Sequence, residues 1–134
     1  MALQFSTAVR NAMLDAIETA TGATAVLKIR TGAAPANCAA ADSGTVVATI
    51  TLAADWAAAA ASGQKSFANL PITDASADAD GTAAHWRLYA SDGVTCHAQG
   101  TYGVAGTDIV GDSVSFTTGQ TFNITAWTWT APGA

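Results

Sequence analysis

The feature that most constrains this chain is alternation. Ala25, Leu27 and Ile29 are interleaved with Val26, Lys28 and Arg30, and Val46, Ala48, Ile50 and Leu52 with Thr45, Val47, Thr49 and Thr51. A period of two gives an extended segment one buried and one wetter face, which a helix cannot do with the same spacing. The two runs therefore predict a pair of strands, Ala25 to Arg30 and Thr45 to Leu52. Between them lies Thr31 to Gly44, carrying Gly32, Pro35, Asn37, Cys38, Asp42 and Gly44. Connections of that length without an element of their own are usually functional or disordered. No residue in this one is placed for an obvious reaction, so composition alone says little about its purpose.

The remaining chain reads mostly as short strands. Ser66 to Leu70 is an expected strand ended by Pro71. In Ala84 to Ala90, Trp86 and Leu88 alternate with His85, Arg87 and Tyr89, and Ser91-Asp92-Gly93 is a turn signal into a return strand from Val94 to Gly100. Short strands are expected near Thr107 to Val110 and Ser113 to Thr117. In Gln120 to Thr130, Phe122 and Ile124 hold one parity and Trp127 and Trp129 the other, so either a bulge near Ala126 turns all four inward or two tryptophans face out and mark an interface. About eight short strands with turn signals between them predict a mainly β domain, an antiparallel β-sandwich or jelly roll.

Two stretches read as helix. Ser6 to Ala20 has Ser6 or Thr7 as cap, a stripe of Val9, Met13, Ile17 and Ala20, and Gly22 as a stop, with Arg10, Asn11, Asp15 and Glu18 largely elsewhere on the wheel. That predicts an N-terminal helical arm over 1–22, joined to a β-sandwich domain over 23–134, with the apolar stripe packed on the β domain or against another subunit. Asp55 to Gly63 reads as a short helical turn, with Trp56 plugging one end of the core.

At 134 residues the chain is one domain's worth. Roughly a quarter of it is alanine and only 11 % is charged, so the expected exterior is neutral and small-featured. A net charge of −5 with five lysines and arginines in all argues against nucleic acid as a partner. Met1-Ala2-Leu3-Gln4-Phe5 lacks the basic and apolar regions of a signal peptide, and no run approaches the roughly 18 apolar residues of a membrane span. Synthesis in a cytosol and no membrane contact are the expectations.

Catalytic and metal motifs are incomplete along the whole sequence. Cys38 and Cys96 have no metal-ligand spacing; they are either unpaired thiols or a disulfide. Aligning Ser76, Asp78, Asp80 and Gly81 with a calcium loop puts Arg87 where its bidentate glutamate belongs, which leaves a looser cation site at Asp74, Asp78 and Asp80 or simply a solvated loop. His85 and His97 lie on neighbouring expected strands, where register decides whether the rings meet. There is no nucleophile elbow, phosphate-binding loop or zinc-protease motif. No cofactor and no enzymatic activity are expected.

Five stretches together carry a resemblance: FSTAVRNAMLDAIETATG, AVLKIRTGAAPANCAAADSGTVVATITL, ADW at 54–56, DASADADGTAAHWRLYASDGVTCHAQG and GQTFNITAWTWT. They look like a family of small virion structural proteins of tailed bacteriophages, of the auxiliary or decoration type, with RTGAAPANCAAADSGT as the most specific run. The resemblance implies a non-enzymatic component located in the virion. Its partners would be the major capsid protein or other virion proteins, and it would be a homo-oligomer. The interface residues expected are Val9, Met13 and Ile17 on the helix, Pro35, Asn37 and Cys38 in the loop, and Trp127 and Trp129. The main alternative is a tail or fibre module contacting the host surface, with Trp127, Trp129, Tyr89 and Tyr102 stacking on sugars. A metal-binding or hydrolytic β domain built on the histidines and the acidic loop is the third reading.

Overall fold

The computed structural model describes residues 3–67 and 72–133. It is mainly β, with helix α1 (Thr7–Thr21) followed by nine strands: β1 (Val26–Thr31), β2 (Val46–Thr51), β3 (Gln64–Ser66), β4 (Ile72–Asp74), β5 (Gly81–Tyr89), β6 (Cys96–Gly103), β7 (Ile109–Gly111), β8 (Ser115–Phe116) and β9 (Phe122–Thr130). Residues 68–70 of the expected Ser66 to Leu70 strand, and Pro71, lie outside the described residues.

The strands form one curled sheet in the order β2-β1-β5-β6-β7-β9-β3, with β4 on β9 and β8 on β5. All pairings are antiparallel except β6 with β7, which run parallel, so the sheet is mixed. It curls because its inner face must be covered. The Asp78 amide donates to the Val47 carbonyl at 2.8 Å, tying the segment after β4 back to β2. The enclosed core holds Leu27, Ile29, Ala48, Ile50, Trp86, Leu88, Ile109, Phe122, Ile124 and Trp127. The expected inner set of β1 is thus the inner face of the sheet; in β2 the register slips opposite Ile29 and Arg30, so Val47, expected on the wetter face, is buried in the core and Val46 is half-buried.

Trp127 reaches that core through a bulge. Val110 pairs with Ala126 but Gly111 with Ile124, so Thr125 is the extra residue. The insertion switches parity, which lets Phe122, Ile124 and Trp127 all point inward. Trp127 is only 2 % exposed. It lies 4.4 Å from Phe67 and 5.0 Å from Trp129, ring centre to ring centre. It therefore belongs to the interior and offers nothing to a partner, whereas Trp129 is half-buried.

Helix α1 packs on the β domain through only part of the expected stripe: Ile17 lies against the core, while Val9 and Met13 stay exposed. Ser6 caps it, accepting from the Val9 amide at 3.2 Å, and Gly22 ends it at φ 75°. The buried side chains are Arg10, Leu14 and Thr21, while Val9 and Met13 are 44 % and 38 % exposed. The residues turned toward the body are largely polar because residues 57–63 present unpaired amides there. Asn11 Oδ1 accepts from Gly63, Asp15 Oδ1 from Ala60 and Glu18 Oε2 from Ala57, at 2.8, 2.9 and 3.3 Å. Arg10 donates to the Ala131 carbonyl at 2.8 Å. Those same bonds explain why residues 57–61 do not form the expected helical turn: the segment bridges to Phe67 and Gln64, with the Ala58 and Ala61 amides donating to the Ser66 and Gln64 carbonyls and the Ala57 and Ala60 amides to the helix carboxylates.

Lys65, whose side chain is 1 % exposed, sits beneath the helix with its ammonium 2.8 Å from Asp15 and 3.0 Å from Glu18. Burial works to lower its pKa, but the two carboxylates outweigh that and hold it above the ordinary lysine value. Removing residues 1–22 would therefore strand a buried charge as well as an arm. A milder test separates the two helix faces. Asn11→Ala is expected to cost about 1 kcal/mol through the orphaned Gly63 amide, and Val9→Ala, on the exposed side, less than about 0.5 kcal/mol. Urea denaturation of both variants checks this.

Candidate functional site

The site is built on the outer face of β1, β5 and β6. Strand alternation sends Arg30, His85, Arg87 and Tyr89 to this side, opposite Ile29, Trp86 and Leu88. A polar outer face would ordinarily be wet. Here Arg30, His85, Arg87 and Tyr89 are all buried, because the 31–44 loop lies across them. That is why β5 is buried on both faces over its second half.

Asp42 organises the contact. Its carboxylate accepts from Arg30 Nη2 at 3.0 Å, from the Tyr89 hydroxyl at 2.6 Å and from Arg87 Nη1. Arg87 Nη2 donates to the carbonyls of Asn37 and Ala40 at 3.0 and 3.1 Å, and its Nε to Gln99 Oε1 at 3.1 Å. Gln99 Nε2 in turn donates to the Pro35 carbonyl at 2.6 Å. His85 Nδ1 lies 2.7 Å from the Gly32 carbonyl and, since a carbonyl only accepts, carries the proton. Five strand side chains thus read the loop through its carbonyls and one carboxylate.

The loop also braces itself. Asn37 Oδ1 accepts from the amides of Ala39 and Ala40, both at 3.0 Å, and Ser43 donates to the Ala33 carbonyl at 3.1 Å. Gly44 closes it at φ 71°, where an added Cβ would fall 2.0 Å from the Thr31 carbonyl oxygen. Only glycine fits that approach. The outward side carries Ala33, Ala34, Ala36, Asn37, Ala39 and Ala41, all exposed. The result is a neutral, small-featured surface held in one shape from beneath.

Burial pulls the Asp42 carboxyl upward, but the hydrogen bonds from Tyr89 and Arg87 and the charges of Arg30 and Arg87 win, leaving it below the ordinary aspartate value. A depressed carboxyl contributes stability that is fully present above about pH 4 and is lost as pH falls through the lowered native value. Thermal melts between pH 7 and 3 are expected to show the melting temperature dropping below about pH 4, and dropping less in Asp42→Asn, which has no charge to lose.

The expected interface residues separate into two groups. Pro35, Asn37 and Cys38 all lie in the pinned loop, Asn37 exposed and the other two half-buried. Met13, Ile17 and Trp129 line a groove of about 530 Å³ between α1, β6 and β9, whose wall also includes Gln99. Gln99 therefore touches both places. Val9 is exposed on the helix, and Trp127 is in the core.

The other candidate chemistries are not assembled. His85 pairs with Thr101, not with His97, because β6 is offset along β5, so register keeps the two rings apart. Asp80 spends one oxygen on the amide and hydroxyl of Thr118 at 2.7 and 3.0 Å, and Asp74 accepts from the Ser76 amide at 3.0 Å. Among the described residues no group of three or more histidines, cysteines or acidic residues is placed to hold a metal ion. No helix among them is long and apolar enough to cross a membrane.

Fold and site together define a small mainly β protein with a polar-pinned surface loop. No family model, curated protein or solved structure matches the chain.

Proposed function

We propose that this chain is a non-enzymatic structural protein of a tailed-bacteriophage virion, decorating or cementing the capsid through its 31–44 loop. The observation that carries the proposal is the underside of that loop: Arg30, His85, Arg87, Tyr89 and Gln99 are committed to holding a segment whose outer side is almost entirely alanine. A segment ordered in advance loses little entropy on docking, and small neutral side chains allow close backbone approach. Many identical weak contacts on a lattice then add up through avidity. The particle itself comes from the resemblance of the sequence to phage virion proteins. Its partners under this reading are the major capsid protein or other virion proteins, and further copies of the chain.

The alternative of a tail or fibre module stacking on host sugars needs accessible rings. Tyr89, Tyr102 and Trp127 are buried, which leaves only Trp129 beside the groove. The capsid reading is therefore preferred. Co-sedimentation with particles assembled without this chain tests it. Wild-type protein is expected to pellet with the particles, and Ala36→Glu/Ala39→Glu to pellet at least about tenfold less, since each new carboxylate would have to be desolvated in the contact. Wild-type protein remaining in the supernatant would overturn the proposal.

A further inference from the structure

Cys38 and Cys96 are 58 positions apart in sequence, yet the pinned loop brings them together. Cys38 is one residue from Asn37 and two from Ala40, whose carbonyls are both seated on the Arg87 guanidinium at 3.0 and 3.1 Å. On the sheet side, Arg87 pairs with Gln99 and the next outward position of β5, Tyr89, pairs with Cys96. The Pro35 carbonyl is held by Gln99 on the same strand as Cys96, at 2.6 Å. Both thiols are half-buried and reduced, and the Cys96 thiol donates to the Ala98 carbonyl at 3.4 Å, on the strand whose Gln99 holds the loop.

We infer that Cys38 and Cys96 are a disulfide site, closed by a small-molecule disulfide oxidant once the protein leaves a reducing cytosol, and that the bond locks the loop onto β6. The site stands on the geometry alone; only its timing, after release from the host cell, rests on the virion reading. The reduced protein already holds the loop backbone on either side of Cys38 against β5 and β6, so the bond forms within an ordered segment.

The exchange balances in two steps. The Cys38 thiolate attacks one sulfur of oxidised glutathione, forming a mixed disulfide and expelling one glutathione thiolate, which takes up the proton Cys38 gave up. The Cys96 thiolate then attacks the Cys38 sulfur and expels the second glutathione, again with transfer of its proton. Two protein thiols are oxidised and one disulfide is reduced to two thiols. Burial, with the neighbouring Cys38 thiol, pushes Cys96 up to about 11, which slows its attack as a thiolate; the second step is intramolecular, and the high effective concentration offsets that.

The test incubates the full chain with oxidised glutathione under native conditions, then alkylates free thiols and measures intact mass and a non-reducing peptide map. The expected result is a monomer lighter by two hydrogens, with no alkylation and with the Cys38 and Cys96 peptides linked. Its melting temperature should rise by roughly 10 °C, because the bond restrains a long stretch of the unfolded chain, and fall back with a dithiol reductant. Cys38→Ser and Cys96→Ser should each show no rise. Two alkylated thiols, glutathione left on either cysteine of the wild type, or a link between two chains would each overturn the inference. These readouts need no particle, so a failure of capsid binding leaves them unchanged.

Discussion

Replacing Asp42 with alanine is expected to lower the unfolding free energy by about 3 kcal/mol and to release the loop from the sheet. The carboxylate is the sole anion facing Arg30 and Arg87 in the bonds described, and it also takes the Tyr89 hydroxyl. Both guanidinium side chains are almost wholly buried, at 8 % and 2 % exposed, so without it two charges remain in a site that has lost its counter-ion. Asp42 itself is 38 % exposed, which lets water soften the loss and keeps the figure at the lower end for a broken buried pair. Urea denaturation measures the stability change. Amide exchange in residues 37–44 is expected to accelerate well before global unfolding, since the Arg87 bonds to Asn37 and Ala40 depend on the same guanidinium. If exchange there is unchanged, the loop is held by something other than this cluster.

Trp127→Ala is expected to cost about 4 kcal/mol, the largest effect of any single change considered. The ring touches Phe67, Trp56, Trp86 and Trp129, with centre separations of 4.4 to 5.6 Å, and the surrounding β9 bulge exists to point it inward. Deleting it opens a cavity bounded by other large rings that cannot collapse onto the gap. Trp129→Ala, at a half-buried position beside the groove, should cost less. A substitution at Trp127 that left stability untouched would mean the ring faces outward and would revive a role for it in contacting a ligand.

Much of the sheet is legible in the sequence, because strand alternation reports burial directly. The inward set of β1, the Ser91-Asp92-Gly93 turn between β5 and β6, and a bulge close to Ala126 all follow from local pattern. Asp92 shows how local such signals are: its carboxylate binds the Thr95 hydroxyl and the amides of Thr95 and Val94, which holds it down to about 2. Pattern fails where a second layer covers a face. Arg30, Arg87 and His85 look like solvated positions, and nothing in their spacing says that a distant loop will lie over them. The helix misleads for a related reason. Its Val9–Met13 stripe has the right period, yet the neighbouring segment presents amides rather than apolar side chains, so Asn11, Asp15 and Glu18 take the inner side. Hydrophobic periodicity registers apolar partners and is blind to a polar one.

The pinned loop was legible only as a long connection with proline, asparagine and glycine at intervals. Its anchors sit on β1, β5 and β6, between 12 and 64 positions away in sequence. Arg87 was the available signal: an arginine between Trp86 and Leu88, in a strand with few other charges, needs an acidic partner if its strand is covered.

The most direct test of the proposed virion role is a reconstruction, at a resolution that places side chains, of tailed-phage particles to which this protein has been added. The expected result is a subunit bound on the capsid with Ala33, Ala36, Asn37 and Ala39 covered by a neighbouring virion protein, and with Asp42 between Arg30 and Arg87. A subunit whose 31–44 loop faces solvent while another surface makes the contact would contradict it.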